Sequence, residues 1–346
     1  MKPKPSFFIA GNSKGGTTAL HRFLNAHPAI FMCRPKEPNY FARDFCRDPD
    51  PTGSFHPMKE AAYLDLFSKA RPDQRCGEAS ACYLYSRVAA QALHAFDPSA
   101  KIIFILREPV DFLYSYYLQL LQNPVTEGER VKDFRKALSL ETARRQGRHL
   151  PRGCRLPEFL YYSERVKYAE HLERFFTYFD RSQIKIIIYD DFKRDNEGTY
   201  RDVLAFLDVD PTFTPKDFQI HNRGAVLRSR HLRRIIHKVA FGEGWAAPLK
   251  PVLKRLLPVH LRRTLMHKTF KRFVFKPKQP LDPALVYELK QTFRDEVIRL
   301  SEFLGRDMLS LWGYVPLDDA PPYTQNTHTA PLSRSPEPLS ATFGSV

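Results

Sequence analysis

Two short stretches of this chain carry residue types that together can hold a ligand bearing two anionic groups. The first is Gly11-Asn12-Ser13-Lys14-Gly15-Gly16-Thr17-Thr18, which follows the apolar run Phe7-Phe8-Ile9-Ala10 and leads into a helical pattern from about Thr17 to Ala26. A strand, a glycine-rich turn and a helix start present backbone N–H groups and the positive end of a helix dipole to an anion. The lysine precedes the glycines, so this is not the Gly-Lys-Ser/Thr order of a Walker loop. The second stretch is the buried-type run Ile102–Leu106, ending in Arg107, then Glu108-Pro109 and a helix that carries Ser115. Kinases and ATPases place a Mg²⁺-holding aspartate at such a strand end. Here an arginine stands instead, and its planar fork binds a phosphate directly. Ser115 lies about 9 Å along the helix from Pro109, within reach of the same phosphate. No metal site is expected. Taken singly, the glycines also fit a tight structural turn, and Ser115 a solvent-facing helix position.

The elements that position these residues alternate. Strands are expected at Phe7–Ala10, Ala29–Met32, Lys101–Leu106 and Ile184–Tyr189, with helices from about Thr17 to Ala26, near 57–69 and 85–96, and at 158–179 and 197–207. In 158–179, Phe159, Tyr162, Val166, Ala169, Leu172, Phe175 and Phe176 recur at helical spacing. Pro109 suits the first helical position after its strand. Strand–helix alternation predicts a parallel sheet with right-handed crossovers, an α/β fold. In such sheets ligands bind beyond the carboxyl ends of the strands. Lys14, Glu37 and Arg107 each follow a predicted strand, so parallel strands would put all three on one edge.

Composition bounds the remaining possibilities. The chain has 346 residues, 43% apolar and 27% charged, with a formal charge of +16, as expected of a globular protein with a sizeable core. Its apolar runs are far too short to span a bilayer. Met1-Lys2-Pro3-Lys4-Pro5 leads straight into a strand, and neither a secretory leader nor an anchor is expected. Five cysteines without a CxxC pair speak against a disulfide framework or zinc ribbon and for a reducing cytoplasm. The positive charge is concentrated: residues 221–280 hold 16 Lys/Arg and the single acid Glu243. Such a segment attracts anions, and Pro248, Pro251 and Pro258 interrupt its helical character. Arg228, Arg230, Arg233 and Arg234 are candidates to meet an acidic sugar or lipid headgroup. Val252, Leu253, Leu256 and Leu257, beside Lys254 and Arg255, suit either an interfacial segment on an anionic membrane or a core-packed helix with a basic outer face. No RNP, zinc-finger or basic-zipper pattern supports nucleic-acid binding. A final helix is expected from about Asp282 to Leu304, and residues 316–346, rich in Pro, Ser and Thr, are expected to be disordered. Residues 1–315 read as one domain.

At the two phosphate motifs the sequence resembles the sulfotransferases that use 3′-phosphoadenosine 5′-phosphosulfate (PAPS). Gly11 through Leu20 is similar to their 5′-phosphosulfate loop, and Ile105-Leu106-Arg107-Glu108-Pro109-Val110-Asp111 through Ser115-Tyr116 to their 3′-phosphate motif. Lys36-Glu37-Pro38-Asn39-Tyr40-Phe41 and Gly77-Glu78-Ala79-Ser80, with Tyr83-Leu84, resemble the branch of heparan sulfate sulfotransferases and bacterial relatives. The likeness runs over about 6–315, through Tyr168-Ala169-Glu170-His171-Leu172 and Phe206-Leu207-Asp208-Val209, ending at Gly305-Arg306-Asp307 and Leu311-Trp312-Gly313-Tyr314. It implies a P-loop-like three-layer fold, with a central parallel sheet of about five strands flanked by helices. Lys14 would then neutralise the oxygen bridging phosphate and sulfate. The amides of Gly15, Gly16, Thr17 and Thr18 would hold the 5′-phosphate, and Arg107 and Ser115 the 3′-phosphate. Glu37 matches the general base of the glycosaminoglycan branch, although Asn39 and Tyr40 stand where relatives carry His or Phe. Its plainer reading is a loop carboxylate paired with Lys36 or Arg34. Glu78 is an acceptor-binding candidate or a residue that positions a neighbouring cation. His21 and His56 are weaker alternatives as base, and Lys276 and Lys278 are candidates for a basic loop closing on the 3′-phosphate. The implied acceptor is a hydroxyl on a carbohydrate or glycolipid, with a small alcohol or phenol as the alternative.

Overall fold

A computed structural model describes residues 3–47, 55, 57–122, 128–215, 218, 225–227, 275–277 and 279–314. Its centre is a five-stranded sheet of β1 (Phe7–Gly11), β2 (Ile30–Met32), β3 (Arg75–Ala79), β4 (Lys101–Leu106) and β5 (Ile184–Ile188). The spatial order is β2-β3-β1-β4-β5, and every neighbouring pair is parallel. The expected α/β fold is present, and the carboxyl ends of all five strands share one edge.

Strand β4 shows why the sheet has two covered faces. Ile102, Phe104 and Leu106 enter one apolar cluster and Ile103 and Ile105 the other, all without exposed surface. A continuous apolar run is what a strand buried on both faces requires. The helices supplying the covers are α1 (Thr17–Asn25), α2 (Glu60–Asp65), α3 (Ala89–Phe96), α4 (Pro109–Gln122), α5 (Phe134–Ser139), α6 (Glu141–Arg145), α7 (Tyr168–Phe176), α8 (Tyr189–Arg194), α9 (Asn196–Phe206), α10 (Pro283–Leu304) and α11 (Met308–Trp312). Helices α1 and α9 belong to the smaller cluster; α4, α7 and α10 close the larger one.

Two expectations need correction. Strand β3 was not anticipated, because Arg75-Cys76-Gly77-Glu78-Ala79 neither alternates nor forms an apolar run. Packing selects its residues instead: a side chain at Gly77 would put its Cβ 2.1 Å from the Phe7 ring. The single helix expected over 158–179 is three pieces, a 3₁₀ turn at Pro157–Leu160, another at Ser163–Val166, and α7. Tyr161 at ψ 85° and Lys167 at ψ 59° leave the helical region, which breaks the ladder. The breaks let Phe159, Leu160, Tyr162 and Val166 all reach the core.

Beyond the main sheet, β6 (Ala225–Leu227) and β7 (Phe275–Pro277) pair antiparallel, with Val226 opposite Lys276. Strand β6 lies beside α4, so the backbone at Lys276 is brought toward the helix that carries Ser115. Arg228, Arg230, Lys278, His56, the rest of the basic segment and the Pro/Ser/Thr-rich tail lie outside the described residues. Among the described residues no helix is long and apolar enough to cross a membrane.

Candidate active site

The glycine loop takes its shape from its contact with β4. Gly11 sits at φ 122°, where a Cβ would lie 2.5 Å from the Ile105 carbonyl, and the Asn12 N–H donates to that same carbonyl at 2.9 Å. Only glycine permits both the left-handed backbone and so close an approach. The Gly15 N–H turns inward to the Asn12 carbonyl at 2.9 Å. That amide, expected to hold the 5′-phosphate, is here engaged within the turn. Gly16 then caps α1 at φ 102° with no side-chain cap. Among the described residues no protein group accepts from the amides of Gly16, Thr17 or Thr18, which leaves three donors at the positive end of a nine-residue helix. Helix α1 forms because Ala19, Leu20, Phe23 and Leu24 recur at helical spacing and bury together. Lys14, exposed and at φ 70°, stands at the mouth of this turn.

Arg107 leaves the end of β4 and is held from three directions. Its Nε donates to Asp111 at 2.8 Å and Nη2 also pairs with that carboxylate. Its Nη1 donates to the Lys14 carbonyl at 2.6 Å, and the guanidinium lies 4.7 Å from the Tyr189 ring centre. A guanidinium carries five N–H donors, so one hydrogen on each terminal nitrogen remains for a ligand. Asp111 and Ser115, four residues apart, share one face of α4, with Ser115 buried, and Arg107 reaches that face from the end of β4 through Asp111. The next residue caps that helix: Glu108 accepts from the Val110 and Asp111 N–H groups at 3.1 and 2.6 Å. Tyr314, far along the chain, donates to Glu108 at 2.9 Å, and Trp312 donates to Asp190 at 3.0 Å. The C-terminal helices are thereby fastened to the ends of β4 and β5.

Glu37 lies past β2, and the Glu37 N–H donates to the Ala79 carbonyl at 3.0 Å. Strand β3 lies between Glu37 and β1, so Glu37 is tied about two strand spacings, roughly 10 Å, from the strand that carries the glycine loop. Lys14, Glu37 and Arg107 therefore do share one edge. The following residues are fixed alternately: the Asn39 N–H donates to Ser80 Oγ at 3.1 Å and the Phe41 N–H to the Tyr83 hydroxyl at 3.3 Å. The Glu37 carboxylate is half-exposed and ion-paired with Lys36, as its plainer reading anticipated. Exposed pairs of this kind are weak and exchangeable.

Glu78 is placed differently from its expected role as an acceptor contact. It is 0% exposed and takes a 2.6 Å hydrogen bond from Tyr63. Burial pushes its carboxyl up to about 7, against the opposing pull of Tyr63, Tyr83 and Ser80. It reaches no surface, and the packing sets its carboxylate to work inside the fold. His21 is likewise internal, beside the Cys33 carbonyl at 3.4 Å, and burial lowers its pKa to about 4.

Tyr168, Asn12, Tyr189 and Asp111 were not singled out as site residues from the sequence. Asn12 and Asp111 lie inside the phosphate motifs and Tyr168 inside a further stretch of the family likeness, whereas Tyr189 is adjacent to the site only through the fold.

The chain has relatives among known proteins. The sulfotransferase domain family matches residues 4–241, and the chain belongs to that family. It is 29% identical over 214 residues to the human bifunctional heparan sulfate N-deacetylase/N-sulfotransferase 2, covering 60% of this chain and 22% of that protein. It is 27% identical over 250 residues to human carbohydrate sulfotransferase 15, covering 60% of this chain and 44% of that one. The chain thus spans less than half the length of these relatives. A solved sulfotransferase from Alicyclobacillus acidocaldarius superposes with a TM-score of 0.64 at 27% identity, over 90% of this chain and 99% of its own.

Proposed function

We infer that the chain transfers a sulfuryl group from PAPS to a hydroxyl of a carbohydrate or glycolipid. One observation carries the donor reading: Arg107 and the glycine loop are joined directly, Nη1 to the Lys14 carbonyl at 2.6 Å. Two anion-binding features, a helix start and a guanidinium, are therefore held side by side at one sheet edge, which supports a ligand with two phosphate groups. The donor supplies an activated sulfuryl group, whose transfer resembles in-line phosphoryl transfer with charge spread over equatorial oxygens. Lys14 and the amides of Gly16, Thr17 and Thr18 would stabilise charge on the departing phosphate oxygen. Arg107 and Ser115 would hold the 3′-phosphate, with Lys276 and Lys278 as further candidates. Glu37 would exchange Lys36 for the acceptor and take its proton, an effect worth roughly 10²–10⁴ in rate.

The glycan acceptor is supported by the two relatives named above, whose names specify heparan sulfate and carbohydrate. The heparan sulfate relative acts on nitrogen, which gives a glycan amine a specific standing as second reading. Arg228 and Arg230 would meet acidic groups of the acceptor, and a peripheral contact of the basic segment with anionic lipid belongs to the same proposal. Nucleic acid is not an expected partner, and the reaction calls for no metal.

The test is thermal stabilisation by adenosine 3′,5′-bisphosphate, with ATP plus Mg²⁺ as comparison and EDTA as control. A shift that survives EDTA supports the donor site; a larger, Mg²⁺-dependent shift with ATP overturns it. Sulfate transfer from labelled PAPS to O-sulfatable and N-sulfatable glycans then separates the two acceptors.

A further inference from the structure

Tyr168 lies outside both phosphate motifs, at the first residue of α7, and its side chain is buried. Its hydroxyl accepts a hydrogen bond from Asn12 Nδ2 at 3.0 Å and donates one to the Arg107 carbonyl at 2.9 Å. Arg107 returns to the loop through its 2.6 Å bond to the Lys14 carbonyl. These three bonds close a ring that grips the loop on both sides of Ser13. Between the two grips lie Ser13 and the Lys14 N–Cα bond, whose φ of 70° is left-handed. A residue with a Cβ holds that conformation only when its surroundings over-determine it. The Asn12 N–H anchors the base of the turn to β4, and the Gly15 N–H closes the turn on the Asn12 carbonyl. The side-chain ring adds a second, independent constraint across the same Ser13–Lys14 peptide.

We propose that Tyr168 is a positioning residue of the donor site, whose hydroxyl acts through Asn12 and Arg107 to hold Lys14 in the left-handed conformation that aims its ammonium at the donor. This rests on the donor reading given above. Losing the hydroxyl alone keeps the ring packed but orphans the buried Asn12 amide N–H and removes the donor to the part-buried Arg107 carbonyl. Asn12 has no second anchor for its amide, because Oδ1 is buried and without a partner among the described residues. The loop would then relax away from the geometry that two phosphates require.

The experiment is calorimetric titration of adenosine 3′,5′-bisphosphate into the native chain, Tyr168→Phe, Asn12→Ala and the double variant, each with its ligand-free melting temperature. Tyr168→Phe is expected to bind about tenfold more weakly, the effect of a lost buried hydrogen bond. The double variant is expected to bind no more weakly than Tyr168→Phe, because both substitutions cut one linkage. Native affinity in Tyr168→Phe, or penalties that multiply in the double variant, overturns the proposal. Should Tyr168→Phe not fold, Asn12→Ala reads the same tie, with a similar loss expected and native affinity overturning it. Failure of the native chain to bind the bisphosphate defeats the donor reading itself and this inference with it. An unchanged Tyr168→Phe beside a binding native chain defeats only the role of Tyr168.

Discussion

The Glu37 N–H and the Ala79 carbonyl meet at 3.0 Å, and one residue further along β3 the Ser80 N–H donates to the Ile9 carbonyl, also at 3.0 Å. The candidate base is thus fastened to the sheet next to β1 by main-chain bonds that do not pass through the glycine loop. Base and donor site are held by separate main-chain bonds on separate strand ends.

That separation predicts how two substitutions differ. Lys14→Ala and Glu37→Gln should each abolish sulfate transfer, but only Lys14→Ala should weaken binding of adenosine 3′,5′-bisphosphate. Steady-state rates with labelled PAPS and calorimetric titration of the bisphosphate check the pair. Native turnover by Glu37→Gln would remove Glu37 from the mechanism.

Arg107→Ala removes both the phosphate fork and the bond to the Lys14 carbonyl. Bisphosphate at about 100 times its dissociation constant should stabilise the native chain by roughly 2.7 kcal/mol. The same ligand concentration should leave the melting temperature of Arg107→Ala nearly unmoved.

Gly16→Ala tests the cap of α1. An added Cβ would meet the Phe192 ring at 3.1 Å, at a backbone φ of 102° that side chains rarely adopt. A cost of about 1–3 kcal/mol in denaturant unfolding is expected, together with weaker bisphosphate binding. An alanine variant as stable as the native chain would mean that the turn is not constrained as described.

Glu129→Gln probes stability away from the site. Glu129 and Arg144 have wholly buried side chains joined by two hydrogen bonds at 2.8 and 2.9 Å, with Tyr162 donating to the same carboxylate at 2.8 Å. Removing one charge strands the other, and a loss of about 3–5 kcal/mol is expected from urea unfolding. A loss under about 1 kcal/mol would show the pair to be dispensable.

Glu78 predicts a pH signature. Its carboxyl is raised from 4.5 to about 7 in the folded chain, so between those values the folded state holds a proton that the unfolded state has released. Folding is therefore favoured by this group at acid pH, and the contribution fades as pH rises through the window. Burying the charge costs on the order of 3 kcal/mol above pH 7. Stability measured for Glu78→Gln relative to the native chain should rise between about pH 4.5 and 7 and level off beyond. A difference that is flat with pH would contradict it.

Much of the fold was legible because short-range physics sufficed. Phe7–Ala10, Lys101–Leu106 and Ile184–Ile188 are apolar over strand length, and a strand covered on both faces needs little else. The glycine loop was legible because its backbone demands glycine at fixed positions, and Arg107 because a charge directly after a buried strand emerges at the sheet edge. Strand β3 was not, since its sequence answers to neighbours distant in the chain: Gly77 to the Phe7 ring, Glu78 to Tyr63. The break at Lys167 escaped notice because a helical spacing of apolar residues persists through turns that all face one core.

The chain's own order of residues determined which groups are available for chemistry and at which strand ends they stand, because strand, turn and helix start are local events. The tertiary structure decided what those groups touch. It turned the Gly15 amide inward, put Glu78 inside and set Asp111 on the fork of Arg107. It also brought Tyr168 from 156 residues away to the Asn12 side chain. Such contacts depend on the β1–β4 register and on the packing of α7 against the sheet. No local pattern encodes them, because the free energy that selects them comes from burial shared among segments that meet only when the chain has folded.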